Sequence, residues 1–150
     1  MKKGLIIILA VVIFAGSVIS SWAVSNSEEA KGFVMKAISF LKANGKEKTL
    51  AEANNPKGQF IKGEVYVVVM DLNATMLAHP INQKIIGMNV IDLPDTDGKM
   101  FRREIIETAK TKGEGWVDYK YKNPTSNKVE SKTSFIKRAD DMIFVCGTYK

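Results

Sequence analysis

The chain has one histidine, one cysteine and four prolines in 150 residues, and each scarcity closes a class of chemistry. His79 and Cys146 cannot supply the nitrogen–sulfur ligand set of a structural zinc, so no metal centre of that type is expected. Cys146 has no partner for an internal disulfide, so the core must hold itself together. It lies in the apolar run 142–146 (Met, Ile, Phe, Val, Cys) and reads as a packing thiol rather than a nucleophile. There is no G-x-S-x-G, Walker or G-x-G-x-x-G motif and no paired acid–base set, so neither an enzyme nor a cofactor is expected. Asp92, Asp95 and Asp97 crowd one segment, but their spacing does not fit an EF-hand loop and Pro94 interrupts it. Turn and helix-start roles account for Asp95 and Asp97. A block of like charge is also missing. The 22 Lys and Arg are scattered among 16 Asp and Glu, with no aromatic–basic motif, which fits a solvated surface and not nucleic-acid binding.

One long apolar run is present, at the start. Met1, Lys2 and Lys3 precede apolar residues 5–15 and a smaller, more polar exit at 16–25, the layout of a secretory signal peptide. Small residues at Ser21 and Ala23, and again at Ala23 and Ser25, place cleavage after Ala23 or Ser25. An uncleaved N-terminal anchor is the rival reading, because residues 5–24 approach the ~20 needed to span a bilayer. Removing Lys2 and Lys3 from the formal +6 leaves a mature chain of about +4. Residues 26–150 form one domain by length, periplasmic or otherwise extracytoplasmic.

Within that domain, Ala30, Phe33, Val34, Ala37, Ile38 and Leu41 recur at helical spacing and predict a long first helix. Ser25 with Glu28, or Asn26 with Glu29, is the expected cap, and Asn44 with Gly45 the stop. A short second helix is predicted to start at Thr49, with Glu52 as reciprocal cap, and to end at Asn55 and Pro56. Residues 64–70 are β-branched and apolar on both faces, the mark of a covered central strand. A turn at 71–74 leads to a second strand, 75–79, closed by Pro80. Residues 82–99 form a long irregular excursion, a length that marks functional loops. A helix through Phe101, Ile105, Ile106 and Ala109 follows, then strands at 115–121, 128–137 and 142–149 in an antiparallel meander. The fold class is α+β: a five-stranded antiparallel sheet packed on a long N-terminal helix.

Polar and aromatic groups on these strands mark the candidate site. Tyr119 and Tyr121 share a strand face with Val117, Lys132 shares one with Ser134 and Ile136, and His79 ends the second strand. A lysine within a half-buried sheet, beside tyrosines and a histidine, can hold a carboxylate.

The ordered pieces resemble a family. Residues 66–71 lead to Ala78, His79 and Pro80, then Gly87, then residues 95–99. Residues 113–119, with Gly115, Trp116, Val117, Asp118 and Tyr119, follow, then Asn123 and Pro124, residues 132–136, and Gly147, Thr148 and Tyr149. In this order they resemble the type-2 single Cache domains, extracytoplasmic sensors of bacterial chemoreceptors and histidine kinases. The resemblance implies a PAS-like sheet with a pocket for a small carboxylate such as acetate, propionate, pyruvate or lactate. Carried over by position, it implies His79, Trp116, Tyr119 and Lys132 as ligand-binding residues, with Tyr66, Met76 and Tyr121 as further candidates. The chain departs from the family pattern at two positions. Ala74 stands where the family usually has Gly in the turn, and Phe135 replaces the Tyr of a Lys-x-Ser-Tyr pattern, which is expected to remove one hydrogen bond to a ligand. Family members usually continue into a transmembrane helix and a signalling module. With the chain ending at Lys150, it is expected to report to a separate membrane receptor or sensor kinase. The alternative reading is a ligand-free structural or protein-interaction module with the same fold.

Overall fold

A computed structural model describes residues 21–150. The expected signal segment 1–25 lies outside the described residues up to position 20. Helix α1, Ser21–Asn44, carries the predicted stripe, with Ala30, Val34, Ala37, Ile38 and Leu41 buried. Its start differs from expectation: the helix already runs through Ser25 and Asn26, so neither is a cap. The stop is as read, since Gly45 takes φ 82° and its N–H closes on Leu41 O at 2.9 Å. Helix α2, Lys46–Asn54, begins three residues before the predicted Thr49. Gly45 is its N-cap without a side-chain bond, and Thr49 Oγ1 instead donates back to Gly45 O. Glu52 accepts from Gln59 N at 2.7 Å rather than capping the helix. Among the described residues no helix is long and apolar enough to cross a membrane.

The strands are β1 Ile61–Lys62, β2 Val65–Asp71, β3 Met76–Ala78, β4 Glu114–Lys122, β5 Val129–Ala139 and β6 Met142–Tyr149. All pairings are antiparallel, in the order β1-β2-β6-β5-β4 with β3 also on β2. The five predicted strands are all present, and the two-residue β1 makes a sixth.

Strand parity divides the interior. Val65, Val67 and Val69 pack with α1 on one face, as do Phe135, Phe144 and Cys146. Tyr66, Val68 and Met70 face the other side, with Val117, Ile136 and Val145. Helix α3, Phe101–Thr111, covers this second face with Phe101, Ile105, Ile106 and Ala109. Both sides of the sheet are thus roofed, which explains why β2 and β6 are apolar at successive positions.

The excursion between β3 and α3 is more ordered than its composition predicts. It holds a 3-10 turn, Gln83–Ile85, and a bridge from Thr75 to Asn89. Asp95 is its hub: Oδ1 accepts from Asp97 N and Lys99 N, and Oδ2 from Lys120 N on β4. The excursion therefore covers the exposed edge of β4. At the β2–β3 turn Ala74 does adopt φ 64°, a left-handed conformation that costs a non-glycine residue roughly 1–2 kcal/mol. Its N–H bonds to Asp71 O at 3.1 Å and its carbonyl accepts from Val90 N at 2.9 Å, while its methyl is fully buried. These contacts hold the strained geometry.

Candidate functional site

Between the second sheet face and α3 lies a cavity of ≈ 30 Å³. Its floor is laid out in rungs by strand register. Lys132 pairs with Tyr119 and Tyr149, and Ser134 with Val117 and Gly147. The next rung is apolar, Ile136 with Val145 and Val145 with Val68. Phe101, Arg102 and Ile105 roof it from α3, and His79 and Met76 close it from β3 and its end.

Lys132 is 3 % exposed and has no carboxylate partner. Its Nζ donates to Tyr66 Oη at 3.2 Å and Tyr149 Oη at 3.4 Å. It also lies 4.3, 4.6 and 5.6 Å from the ring centres of Tyr66, Tyr149 and Tyr121. Three ring faces soften the ammonium's desolvation without neutralising it. Burial lowers the Lys132 pKa to about 8, against the opposing influence of Cys146 and Glu64. Gly147 makes room for this side chain, because a Cβ there would meet Ser134 Oγ and, at 2.5 Å, Lys132 Cε.

Arg102 is the second buried cation, 6 % exposed. Its Nη1 donates to Leu93 O at 2.8 Å and its guanidinium sits 4.2 Å from the Phe101 ring centre. Burial lowers its pKa, opposed by the neighbouring Tyr121 and Tyr119. Neither cation forms an ion pair with a described carboxylate, and no Asp or Glu lines the cavity.

His79 supplies a neutral donor. Its Nδ1 accepts from Ile81 N at 3.2 Å and Asn82 N at 2.9 Å, which puts the ring proton on Nε2. Burial, then the charges of Lys132 and Arg102, lower its pKa to about 4. Asn54 Oδ1 fixes the backbone by accepting from His79 N at 2.9 Å, and the ring lies 5.4 Å from that of Tyr66. Tyr119 Oη and Ser134 Oγ are 2.8 Å apart, and the Tyr119 ring stacks on Phe101 at 4.0 Å. Burial raises the pKa values of Tyr66 and Tyr119, so both stay protonated donors. Tyr66, His79 and Tyr121 also line a larger open cleft of ≈ 530 Å³ on the outer side.

The structure thus brings six of the seven sequence candidates to one cavity: Tyr66, Met76, His79, Tyr119, Tyr121 and Lys132. Trp116 is placed elsewhere. It is three residues from Tyr119, hence on the opposite strand face, 42 % exposed and 5.3 Å from Phe135. Phe135 is likewise on the α1 side, so the missing hydroxyl there removes no donor from the cavity. Sequence reading missed Arg102 and Gly147. Arg102 lies three and four residues before Ile105 and Ile106, on the buried stripe of α3, and a charge on such a stripe is the available signal. In the Asp cluster, Asp95 spends its oxygens on the backbone N–H groups of Asp97, Lys99 and Lys120.

A family profile described as Single Cache domain 2 matches residues 26–149. The sensor histidine kinase MctS of Rhizobium johnstonii is 35 % identical over 83 residues, 55 % of this chain and 18 % of that protein. The chain therefore spans under a fifth of the curated relative it matches. A methyl-accepting chemotaxis protein from Vibrio parahaemolyticus superposes with a TM-score of 0.71 at 20 % identity, covering 86 % of this chain and 91 % of that one. A Cache chemosensory domain described for carboxylic acid recognition gives a TM-score of 0.65 at 24 % identity, covering 87 % and 92 %. At these identities the two structures speak to the fold.

Proposed function

Because the chain belongs to the Single Cache domain 2 family, whose members are sensor modules, we propose that it binds a short organic acid outside the cytoplasm. The observation that carries the reading is two buried cations, Lys132 and Arg102, around a small cavity without an acidic residue. A buried charge without a partner is costly, and an anionic ligand would remove that cost. In this reading Lys132 and Arg102 attract the carboxylate, while His79 Nε2–H and the tyrosine hydroxyls give it directional hydrogen bonds. Acetate, propionate, pyruvate and lactate are the ligand class, the expectation for this family's pocket. Residues 1–25 serve as the export signal or anchor, and a membrane receptor or sensor kinase receives the signal. The two buried cations without a described carboxylate partner argue against the ligand-free alternative.

Calorimetric titration of the purified chain with these four acids tests the reading. At least one is expected to bind saturably, and Lys132→Ala to weaken it by about 2–5 kcal/mol, thirtyfold or more. Unchanged affinity in a folded Lys132→Ala protein would remove the cavity from the reading.

A further inference from the structure

We infer that Val68 and Val145 set the length of the acid, admitting chains of two or three carbons. The inference rests on the proposed function and adds the element of selection. The polar end of the cavity is fixed by Lys132 and Ser134, and the next rung along the sheet is the cross-strand pair Val68 and Val145. Successive same-face rungs on a strand are about 6.7 Å apart. For a carboxylate held at the Ser134 rung, a carbon–carbon contact distance of about 3.5–4 Å leaves about 3 Å for ligand atoms beyond it, roughly two carbon–carbon bonds.

At ≈ 30 Å³ the cavity is small, about two to three times the ~10–15 Å³ that one water requires. The two valines are suited to a limit because they cannot yield. Both are buried, at 9 % and 3 % exposure, in the paired strands β2 and β6, and β-branching restricts their χ1. Met76, which also lines the cavity, has an unbranched side chain that can adapt to ligand shape, so it is a poorer ruler.

Titration of the full chain with acetate, propionate, butyrate and hexanoate is the test. Affinity is expected to be highest for acetate or propionate and to fall at least tenfold by butyrate, the usual discrimination for one surplus methylene in a tight pocket. Val145→Ala is expected to move the optimum one or two carbons longer, and Val68→Ala provides the same test should the first variant not fold. Val145→Ile is expected to penalise propionate relative to acetate. An optimum unmoved in both alanine variants would overturn the inference and leave the acid-binding reading intact. So would affinity rising steadily through hexanoate, which would run the tail past Tyr66, His79 and Tyr121 into the outer cleft. If none of the four acids binds, the proposed function fails first and this inference with it.

Discussion

Lys132 is expensive for the empty protein. The residue is 3 % exposed, and its ammonium has hydroxyls and ring faces for company but no described carboxylate as partner. Replacing a buried ionic group with an apolar one of similar volume is commonly neutral or stabilising by about 1–4 kcal/mol. Lys132→Met is therefore expected to raise the melting temperature of the empty protein by several degrees, at about 2–4 °C per kcal/mol for a chain of this size. The same variant is expected to lose its thermal response to short acids. A differential scan with and without 10 mM acetate or propionate reads both effects. A stabilised, unresponsive protein is the signature of a residue kept for binding at the expense of stability. A destabilised one would mean that Lys132 is structural.

At the level of elements, the site is a product of β-sheet register, and Gly147 shows it most directly. A Cβ on Gly147 would crowd Ser134 Oγ, Lys132 Cε and, at 2.9 Å, the backbone carbonyl of Thr133 on β5. The side chains can give way, whereas the paired strand cannot do so freely. Gly147→Ala is expected to cost about 1–3 kcal/mol of stability, seen as a lower denaturant midpoint, and to displace Lys132 enough to weaken acid binding as well. The variant should thus differ from Lys132→Met, which loses binding but gains stability. Sequence reading recovered much of this arrangement because the informative signals are local and periodic. The α1 stripe, the doubly apolar β2 and the alternation of Val117, Tyr119 and Tyr121 each reflect a backbone repeat. The same period-2 rule, applied from Tyr119 and from Lys132, assigns Trp116 and Phe135 to the α1 face, so that part was legible and positional carry-over obscured it. Helix starts were less legible. Gly45 separates α1 from α2 through backbone geometry alone, with no side-chain cap to read. Arg102 entered the cavity through the packing of α3 on the sheet, a tertiary relation that its own segment shows only as a charge on an apolar stripe.

For the whole molecule, protonation ties stability and binding together with opposite signs. The Lys132 pKa is about 8 in the folded protein against 10.5 for the ordinary side chain. Between those values the unfolded chain holds more protons than the folded one, so this residue's contribution to stability rises with pH. The melting-temperature gap between Lys132→Met and the parent protein should therefore narrow from pH 8 to pH 10. Acid binding should change the other way. A carboxylate beside the ammonium favours its charged form, so binding takes up a proton above about pH 8, and affinity should fall there by up to tenfold per unit. The groups facing Lys132 do not supply that slope. Burial raises the Tyr66 pKa and holds those of Tyr149 and Cys146 near 12, and His79 at about 4 is already neutral. Glu64 acts on the ammonium only as a nearby charge that favours it. Titrations of acetate or propionate at pH 7, 8, 9 and 10, paired with melts of both proteins, separate the two effects. A gap that narrows while affinity declines would identify the Lys132 proton as common to both. A constant gap with pH-independent affinity would mean that Lys132 does not titrate in this range and that its proton links neither stability nor binding to pH.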